Sequence, residues 1–422
     1  MARSHGNGTP RPGFFGPKVV WAAFTLAILG WGSGLYGPPV FLHAVIERTG
    51  WPLELVSAVV TAHFVFGALF ITRLRSLYAR FGLPAVTCAG SVILTIGIIG
   101  WALAREPWQL VLAAMCTGCG WVTMSGAAVN AIIAPWFIRK RPAALSTAYN
   151  GASIGGVIMT PLWATLILNL SFPVTAVFVG VVTISVVWIL SVFVFSKSPE
   201  SMGQFPDGEP QEAKVQSAVT SANVTELKGQ ALWQNKGFLT LCAGMTLGLF
   251  AQIGLLEQLY SVLVPTLGPR LSGYALGLAT FCAIVGRTSV GRFMPLDADR
   301  RLVSCLSYAI QFIGSILMLF ALDTSALLLL GIILYGLGIG NATSLPPLIA
   351  QKEFVSQDVQ RVVPMILAVS QGTYAFAPGF FGFLRSLAPD GSGTMMMFAV
   401  AGAIQLLAIA CFFAGRSTRS PR

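Results

Sequence analysis

Twelve predominantly apolar stretches alternate with short polar turns along the chain, at 19–43, 54–78, 84–104, 108–137, 143–170, 173–196, 237–264, 272–294, 302–322, 324–350, 360–386 and 394–415. A helix rises 1.5 Å per residue, so about 20 such residues cross the hydrocarbon layer of a bilayer. Each stretch therefore predicts one transmembrane helix. The pattern lapses after the sixth: residues 197–236 are polar, with Pro199, Pro206 and Pro210 early and a helix-compatible run from Thr225 to Trp233 late. This segment reads as a cytoplasmic linker between two six-helix bundles, 19–196 and 237–415, flanked by tails 1–18 and 416–422. The expected fold is an all-α membrane protein of two pseudo-symmetric halves.

Composition agrees, since 55% of the 422 residues are hydrophobic, only 10% are charged and the mean hydropathy is +0.76. A soluble domain carries about 25% charged residues. The formal charge of +11 does not imply a nucleic-acid partner, because the basic residues sit in short clusters between apolar stretches. Of the 26 Lys and Arg residues, Arg48, Arg105, Arg270 and Arg385 fall on one side of the predicted membrane and Arg287 within a stretch; the rest share the other side. That asymmetry predicts cytoplasmic termini in a multi-pass plasma-membrane protein, the inner membrane in a Gram-negative cell. The first stretch lacks a small-residue cleavage site and reads as an uncleaved helix rather than a signal peptide. All seven cysteines lie in apolar stretches, where Cys acts as a small hydrophobe, and Cys116-x-x-Cys119 has no further ligand nearby in sequence. No metal or cofactor is expected.

The halves echo each other. A basic turn follows the second stretch of each, Arg73–Gly82 and Arg292–Arg301, and in the fifth stretch of each a glycine precedes a proline by six residues, Gly155 to Pro161 and Gly372 to Pro378. Duplicated halves are how many secondary transporters place a site at the bilayer midplane and expose it alternately to either side.

Ala79-Arg80-Phe81-Gly82 in the first half, and Gly291-Arg292 followed by Asp297-Ala298-Asp299-Arg300-Arg301 in the second, resemble the loop motif of the major facilitator superfamily, with Ala79 where an Asp is usual. The resemblance covers nearly the whole chain and implies the twelve-helix fold of that superfamily. It assigns Arg80, Gly82, Gly291, Arg292, Asp297, Asp299 and Arg300 to a charge and helix-dipole latch that holds helix ends together in one state. Trp136 to Leu145, leading into Tyr149-Asn150-Gly151-Ala152-Ser153, is similar to the fifth-helix signature of the monocarboxylate transporter and oxalate:formate antiporter group, with Ser146 where a Gly is usual. Gly30-Trp31-Gly32-Ser33-Gly34 with Pro38-Pro39, then Gly50-Trp51-Pro52, is similar to that group's first helix and the loop after it. The first and eleventh helices lack the lysines that bind anions in some members.

Within the membrane an ionisable residue marks function by default, because it costs several kcal/mol unless it faces a cavity or a partner. Arg287 stands four residues before Gly291, as the carboxylate-binding arginine of the monocarboxylate transporters does in the corresponding signature, while the aspartate usual four residues earlier is Ala283. A guanidinium holds a carboxylate through two parallel hydrogen bonds. The alternative is an arginine that reaches from the inner end to phosphate headgroups. Glu257 lies some 20 residues from the inner end of its stretch, roughly 30 Å along a helix, and is a candidate outer gate or proton acceptor. His63 is a second proton-coupling candidate. Tyr36, Asn130, Tyr149, Asn150, Gln252, Tyr260, Asn341, Gln371 and Tyr374 are candidates to line a cavity, because lipid penalises their polar groups. Gly118, Gly120, Gly126, Gly151, Gly155, Gly156, Gly336, Gly338 and Gly340 suit close helix approach, and Pro161 and Pro378 suit bending.

No phosphate-binding loop, H-E-x-x-H motif or paired intramembrane carboxylate argues for an ATP-driven pump or an enzyme. The expected activity is secondary active transport of a small organic anion of the monocarboxylate kind, by alternating access, with proton symport or exchange for a counter-anion. The rival is a neutral or heteroaromatic solute, a vitamin such as riboflavin or an exported drug. The partners expected are the small-molecule substrate, protons or a counter-anion, and the lipid bilayer.

Overall fold

The computed structural model describes residues 13–208, 230–295, 297–320, 324–388 and 391–416, and contains no strand among the described residues. The first half consists of α1 (Gly16–Gly34), α2 (Pro38–Thr49), α3 (Leu53–Phe81), α4 (Leu83–Leu103), α5 (Pro107–Val122), α6 (Gly126–Ile133), α7 (Arg141–Leu170) and α8 (Phe172–Leu190). A short α9 (Gln230–Gln234) precedes the second half: α10 (Lys236–Phe293), α11 (Arg300–Phe320), α12 (Ser325–Ile339), α13 (Leu345–Glu353), α14 (Ser356–Tyr374), α15 (Ala377–Ser386) and α16 (Ser392–Ala414). Thr225–Gly229 of the expected linker helix, and most of both tails, lie outside the described residues.

Nine stretches of the described residues are long and apolar enough to cross a membrane. One of them, α10, has 58 residues. As a straight helix it would be about 87 Å long, far beyond a bilayer. Gly268, at φ 75° and ψ 162°, turns it back on itself, a conformation that costs a residue with a Cβ dearly. The two arms are the seventh and eighth passes. The tenth pass is α12 with α13, broken after Gly340 and restarted at Pro346 and Pro347; the eleventh is α14 with α15, broken before Pro378. The first and fourth passes also break, α1 from α2 ahead of Pro38 and Pro39, and α5 from α6 at Thr123–Ser125. With these broken helices counted as single passes, the chain makes the twelve passes expected.

An even number of passes brings the start of α1, the ends of α8 and α16 and the start of α10 to one end of the bundle, here termed the terminal end; the opposite end is the distal end. Each half is stapled at its terminal end. In the second half Arg301 is 1% exposed. Its Nε and one Nη donate to the two carboxylate oxygens of Glu353 at 2.6 and 2.8 Å, and further donations reach the Gly237 carbonyl (2.8 Å) and the Thr240 hydroxyl (3.1 Å). The starts of α10 and α11 and the end of α13 are thereby tied to one guanidinium. Glu353 is itself exposed, but removing it leaves the charge of the buried Arg301 uncompensated. Glu353→Ala is therefore expected to cost about 3 kcal/mol, read as a marked fall in melting temperature in detergent, whereas Glu353→Gln keeps acceptor geometry and should lose less.

The first half is stapled by the linker itself. Residue 207 adopts φ 63°, and the Asp207 carboxylate accepts from the backbone N–H groups of Ile138 (3.2 Å), Arg139 (2.8 Å) and Lys140 (3.1 Å), at the turn entering α7. Its own N–H donates to the Trp136 carbonyl at 2.9 Å, and Gln204 accepts from the Phe15 N–H at 2.9 Å. The first ten or so linker residues thus belong to the first half. Burial opposes ionisation of Asp207, but the three N–H donors and the Lys140 charge outweigh it and hold the carboxyl below the usual carboxylate range. A carboxyl whose folded pKa is depressed contributes stability above its unfolded value and loses it as pH falls through the folded one. Asp207→Asn should therefore cost about 1–2 kcal/mol near neutral pH, with the gap to wild type closing below about pH 4, measurable as melting temperature against pH.

Candidate functional site

The two halves meet along two seams, and both are tight at the distal end and open towards the terminal end. In the first seam α3 faces α15. Gly382 lies so close over Ser57 that any side chain would collide with it, and the Gly379 N–H donates to the Thr61 hydroxyl at 2.8 Å. Two helical turns further on, Gly372 has no neighbour that a Cβ would meet within 4 Å. In the second seam α7 faces the second arm of α10. A Cβ at Gly273 would lie 2.6 Å from the Ala164 methyl, and one at Gly277 3.0 Å from the Val157 carbonyl. The seam continues through Arg287 and Ser153, 3.5 Å apart, and then parts: Asn150 is exposed, and a Cβ at Gly291 would again meet nothing within 4 Å. Small residues at helical spacing make the distal closure, because only they let backbones approach this closely.

Where the second seam begins to part, several polar groups from both halves converge. Arg287 is half-buried; its Nε donates to the Gly340 carbonyl at 2.8 Å and one Nη contacts the Ser153 hydroxyl at 3.5 Å. The carbonyl is available because α12 ends at Ile339, leaving Gly340 without the next helical N–H. Gly340 packs against the Ala283 carbonyl at a distance no side chain would permit. No carboxylate pairs with Arg287 among the described residues, in keeping with alanine at 283. Tyr36, at the break between α1 and α2, places its hydroxyl beside Thr280 and within electrostatic reach of Arg287. Gly156 leaves room for both, since a Cβ there would lie 2.5 Å from Thr280 and 2.8 Å from the Tyr36 ring. Asn341 adjoins Gly340, is buried, and has an Oδ1 without a partner. The result is a guanidinium with spare donors, near the hydroxyls of Ser153, Tyr36 and Thr280, at the boundary between the halves. Its free donors suit an anion.

The other candidate residues fall elsewhere. Asn130 donates to the Tyr149 hydroxyl (2.5 Å) and to the Gly126 carbonyl (2.8 Å), and Trp31 packs edge-on against Tyr149 at 6.0 Å, a cluster internal to the first half. Tyr260 donates to the Pro269 carbonyl at 3.1 Å and so braces the distal turn of α10 rather than a central cavity. Gln371 and Tyr374 are half-buried where the first seam begins to part, with the Tyr374 ring still 6.1 Å from the Phe64 ring across it. The Gln252 carbonyl accepts from the Tyr335 hydroxyl at 2.7 Å while its side-chain Oε1 is orphaned.

The two proton-coupling candidates differ sharply. His63 is wholly buried within the first half, with Nε2 2.9 Å from the Gly34 carbonyl and Nδ1 2.8 Å from the Thr117 hydroxyl, so both ring nitrogens are occupied. A carbonyl only accepts, which assigns the proton to Nε2. Glu257 is 0% exposed and neither carboxyl oxygen has a partner. Buried polar groups are satisfied with few exceptions, and each exception asks for a reason.

Among the latch residues, the Asp299 carboxylate pairs with Arg416 at 2.5 Å and accepts from the N–H groups of Arg301 (3.0 Å) and Leu302 (3.2 Å) at the start of α11. Burial opposes ionisation there, but Arg416 and those N–H groups hold the Asp299 carboxyl below the usual range. Arg300 donates to the Leu348 carbonyl, and the Lys352 ammonium donates to the carbonyls of Asp297 (3.3 Å) and Ala298 (3.0 Å). These contacts all lie within the second half. Arg80 stacks on the Phe81 ring at 5.1 Å and Gly82, at φ 78°, ends α3; Arg292 and Gly291 lie on the last turn of α10.

Sequence reasoning missed Arg385, which counts in sequence as an outer-loop cation. It lies on the last turn of α15 and turns inward, donating to Gln258 Oε1 at 2.8 Å and to the Ser261 hydroxyl at 2.6 Å. Asp207 was missed as a polar residue of the linker, and Arg301 was named only as part of the basic turn and loop motif, without its buried role.

Residues 20–378 match the family model of the Major Facilitator Superfamily. Among curated proteins, the chain is 25% identical over 289 residues to an "MFS-type transporter 1" from Ophiocordyceps sp. (strain BCC 1869), covering 68% of this chain and 59% of that protein. It is also 25% identical over 274 residues to the "MFS-type transporter pynF" of Aspergillus niger, covering 64% and 58%. The chain thus spans under two thirds of the length of these relatives. Among solved structures, a bacterial homologue of the human lysosomal transporter Spinster, in an inward-facing and occupied conformation, superposes with a TM-score of 0.74 at 13% identity, over 94% of this chain and 96% of that one. The nucleoside transporter NupG (D323A mutant) gives 0.73 at 13% identity, over 94% and 100%. At such identity the likeness is one of fold. The family match over residues 20–378, with the helical passes and paired halves of the described residues, establishes that the chain belongs to the Major Facilitator Superfamily.

Proposed function

We infer that this transporter carries a small organic anion of the monocarboxylate kind by alternating access, with proton symport or exchange against a second anion. The observation that carries the reading is Arg287: a guanidinium at the boundary of the two halves, held by a backbone carbonyl and a serine hydroxyl and by no carboxylate. Its position where the second seam parts suits a group reached from one side now and from the other after the halves rock. The clustering of Lys and Arg at the terminal end supports a cytoplasmic placement of that end, on which reading the conformation described here is inward-open. Glu257 is the better candidate to couple proton movement, because both nitrogens of His63 already have partners.

Aromatic rings near the same boundary, Tyr36 beside Arg287 and Tyr374 against Phe64, favour a second reading, an uncharged aromatic solute. The two separate in proteoliposomes. Labelled pyruvate should accumulate under an imposed pH gradient, while its uncharged analogue pyruvamide and labelled riboflavin should not. Riboflavin uptake without pyruvate uptake would reverse the assignment.

A further inference from the structure

We propose that Arg385 is a second anion-binding group, half-buried with its Nε enclosed in this conformation and fully uncovered at the distal mouth when that end opens, where it receives the anion before Arg287 does. The proposal rests on the organic-anion reading above. Arg385 is tied into the distal closure. Gln258, 0% exposed, donates through Nε2 to the Ser57 hydroxyl across the seam (3.1 Å) and to the Pro378 carbonyl (3.3 Å), while its Oε1 accepts from Arg385. Arg385 also holds the Ser261 hydroxyl, but its Nε is enclosed without a partner and no carboxylate pairs with it among the described residues.

That is an unusual environment for a guanidinium. A guanidinium half-buried in a membrane bundle is commonly matched by a carboxylate, because one amide and one hydroxyl oxygen replace little of the hydration lost at its enclosed edge. The other distal arginine with resolved bonds shows the contrast: Arg48 caps the end of α4 through the carbonyls of Ala104 (2.9 Å) and Trp101 (3.2 Å) and has a structural task. The imidazole of His43, packed on Tyr260 at 5.4 Å, adds no negative charge, and its neighbour Glu47 approaches His43 only to 3.9 Å.

The closure also explains how the site would be switched. Ser57 belongs to the first half and Gln258, Ser261 and Arg385 to the second, so rocking the halves apart breaks the Ser57 contact and the Gly382–Ser57 packing while leaving Arg385 on its own half. Gln258 then loses its cross-seam anchor and its amide is free to rotate away, and the guanidinium presents its Nε edge and Nη to water. Those paired donors match the two oxygens of a carboxylate. Closing the mouth returns Gln258 to Arg385 and expels the anion towards the interior, which makes Arg385 the docking group and Gln258 its lock.

The test is the sidedness of pyruvate transport in membrane vesicles of uniform orientation. Arg385→Gln should raise KM for pyruvate presented at the distal face by about tenfold, the loss of one charge-assisted contact, with KM at the terminal face within about twofold of wild type. Arg385→Lys, which keeps the charge but not the fork, should recover part of the distal affinity and serves if the glutamine variant does not fold. Unchanged KM at both faces, or an equal change at both, would overturn the site, because an arginine that merely braces the fold has no preferred side. Wild-type vesicles that carry no pyruvate from either face would sink the anion reading and this site with it; sided wild-type transport indifferent to residue 385 sinks this site alone.

Discussion

Replacing Arg287 by glutamine should lower pyruvate uptake by about 100-fold in proteoliposomes, equivalent to about 2.7 kcal/mol at 1.36 kcal/mol per decade. Such a loss lies within the range for removing one partner of a desolvated, hydrogen-bonded charge pair. The variant keeps an amide near the Gly340 carbonyl, and the surrounding glycine contacts do not involve the guanidinium tip, so the bundle should still assemble. Arg287→Lys keeps the charge and loses the planar fork, and its uptake should fall by about tenfold rather than vanish. Equal losses in the two variants would say that charge alone matters at this site. Uptake within about twofold of wild type in both would remove Arg287 from recognition and leave it as a brace for the break after α12.

Glu257→Gln should separate proton coupling from translocation. In the distal-closed conformation this carboxyl is fully enclosed and neither oxygen has a donor. An ionised carboxylate there would cost several kcal/mol unless water, substrate or a rearranged neighbour reached it. The adjoining residue, Gln258, bridges the distal seam to Ser57, which couples the access of Glu257 to the state of that seam. An amide has nearly the same shape and cannot titrate. Pyruvate accumulation driven by an imposed pH gradient should therefore disappear in Glu257→Gln while one-for-one exchange of internal for external pyruvate continues at a comparable rate. Gradient-driven accumulation equal to wild type would assign coupling elsewhere, and loss of exchange as well would make Glu257 a structural or substrate-binding residue.

The helices were legible in the sequence because lipid imposes a single rule, a run of apolar residues long enough to cross, and that rule is local. The breaks within passes were only half legible. Pro38-Pro39 and Pro378 announce theirs, but the end of α12 at Ile339 depends on Gly340 packing against Ala283, 57 positions away in sequence. Arg287 stood out because a charge inside an apolar run is costly wherever it lands. Arg385 did not, because a charge near the end of a run looks like an interfacial anchor, and its inward turn depends on Gln258 and Ser261, which belong to a helix more than 120 residues earlier. Asp207 was hidden for a related reason. Its partners are backbone N–H groups at the entry to α7, and backbone donors leave no mark in a sequence. Tyr260 shows the converse: a phenol inside an apolar run invites a cavity reading, and its hydroxyl is spent on the turn at Gly268 and Pro269.

The seams give the account its mechanical content. Glycine and other small residues on α3, α7, α10 and α15 close the distal half of the interface; Arg287 on α10 lies at the last contact of one seam, and Asn150 on α7 and Gly372 on α14 lie where the interface has parted. Each half is internally stapled at its terminal end, by Asp207 in one and by Arg301 with Glu353 in the other, so rocking can proceed with two stiff bodies and the contacts between them as the moving part.

The most direct test of Arg287 as the carboxylate-binding group is equilibrium binding of labelled pyruvate to the purified protein in detergent, which removes the transport cycle from the measurement. Wild type should bind saturably, pyruvamide should not compete, and Arg287→Gln should weaken binding by at least about tenfold. Equal affinity in wild type and variant, or competition by pyruvamide as strong as by pyruvate itself, would contradict the account.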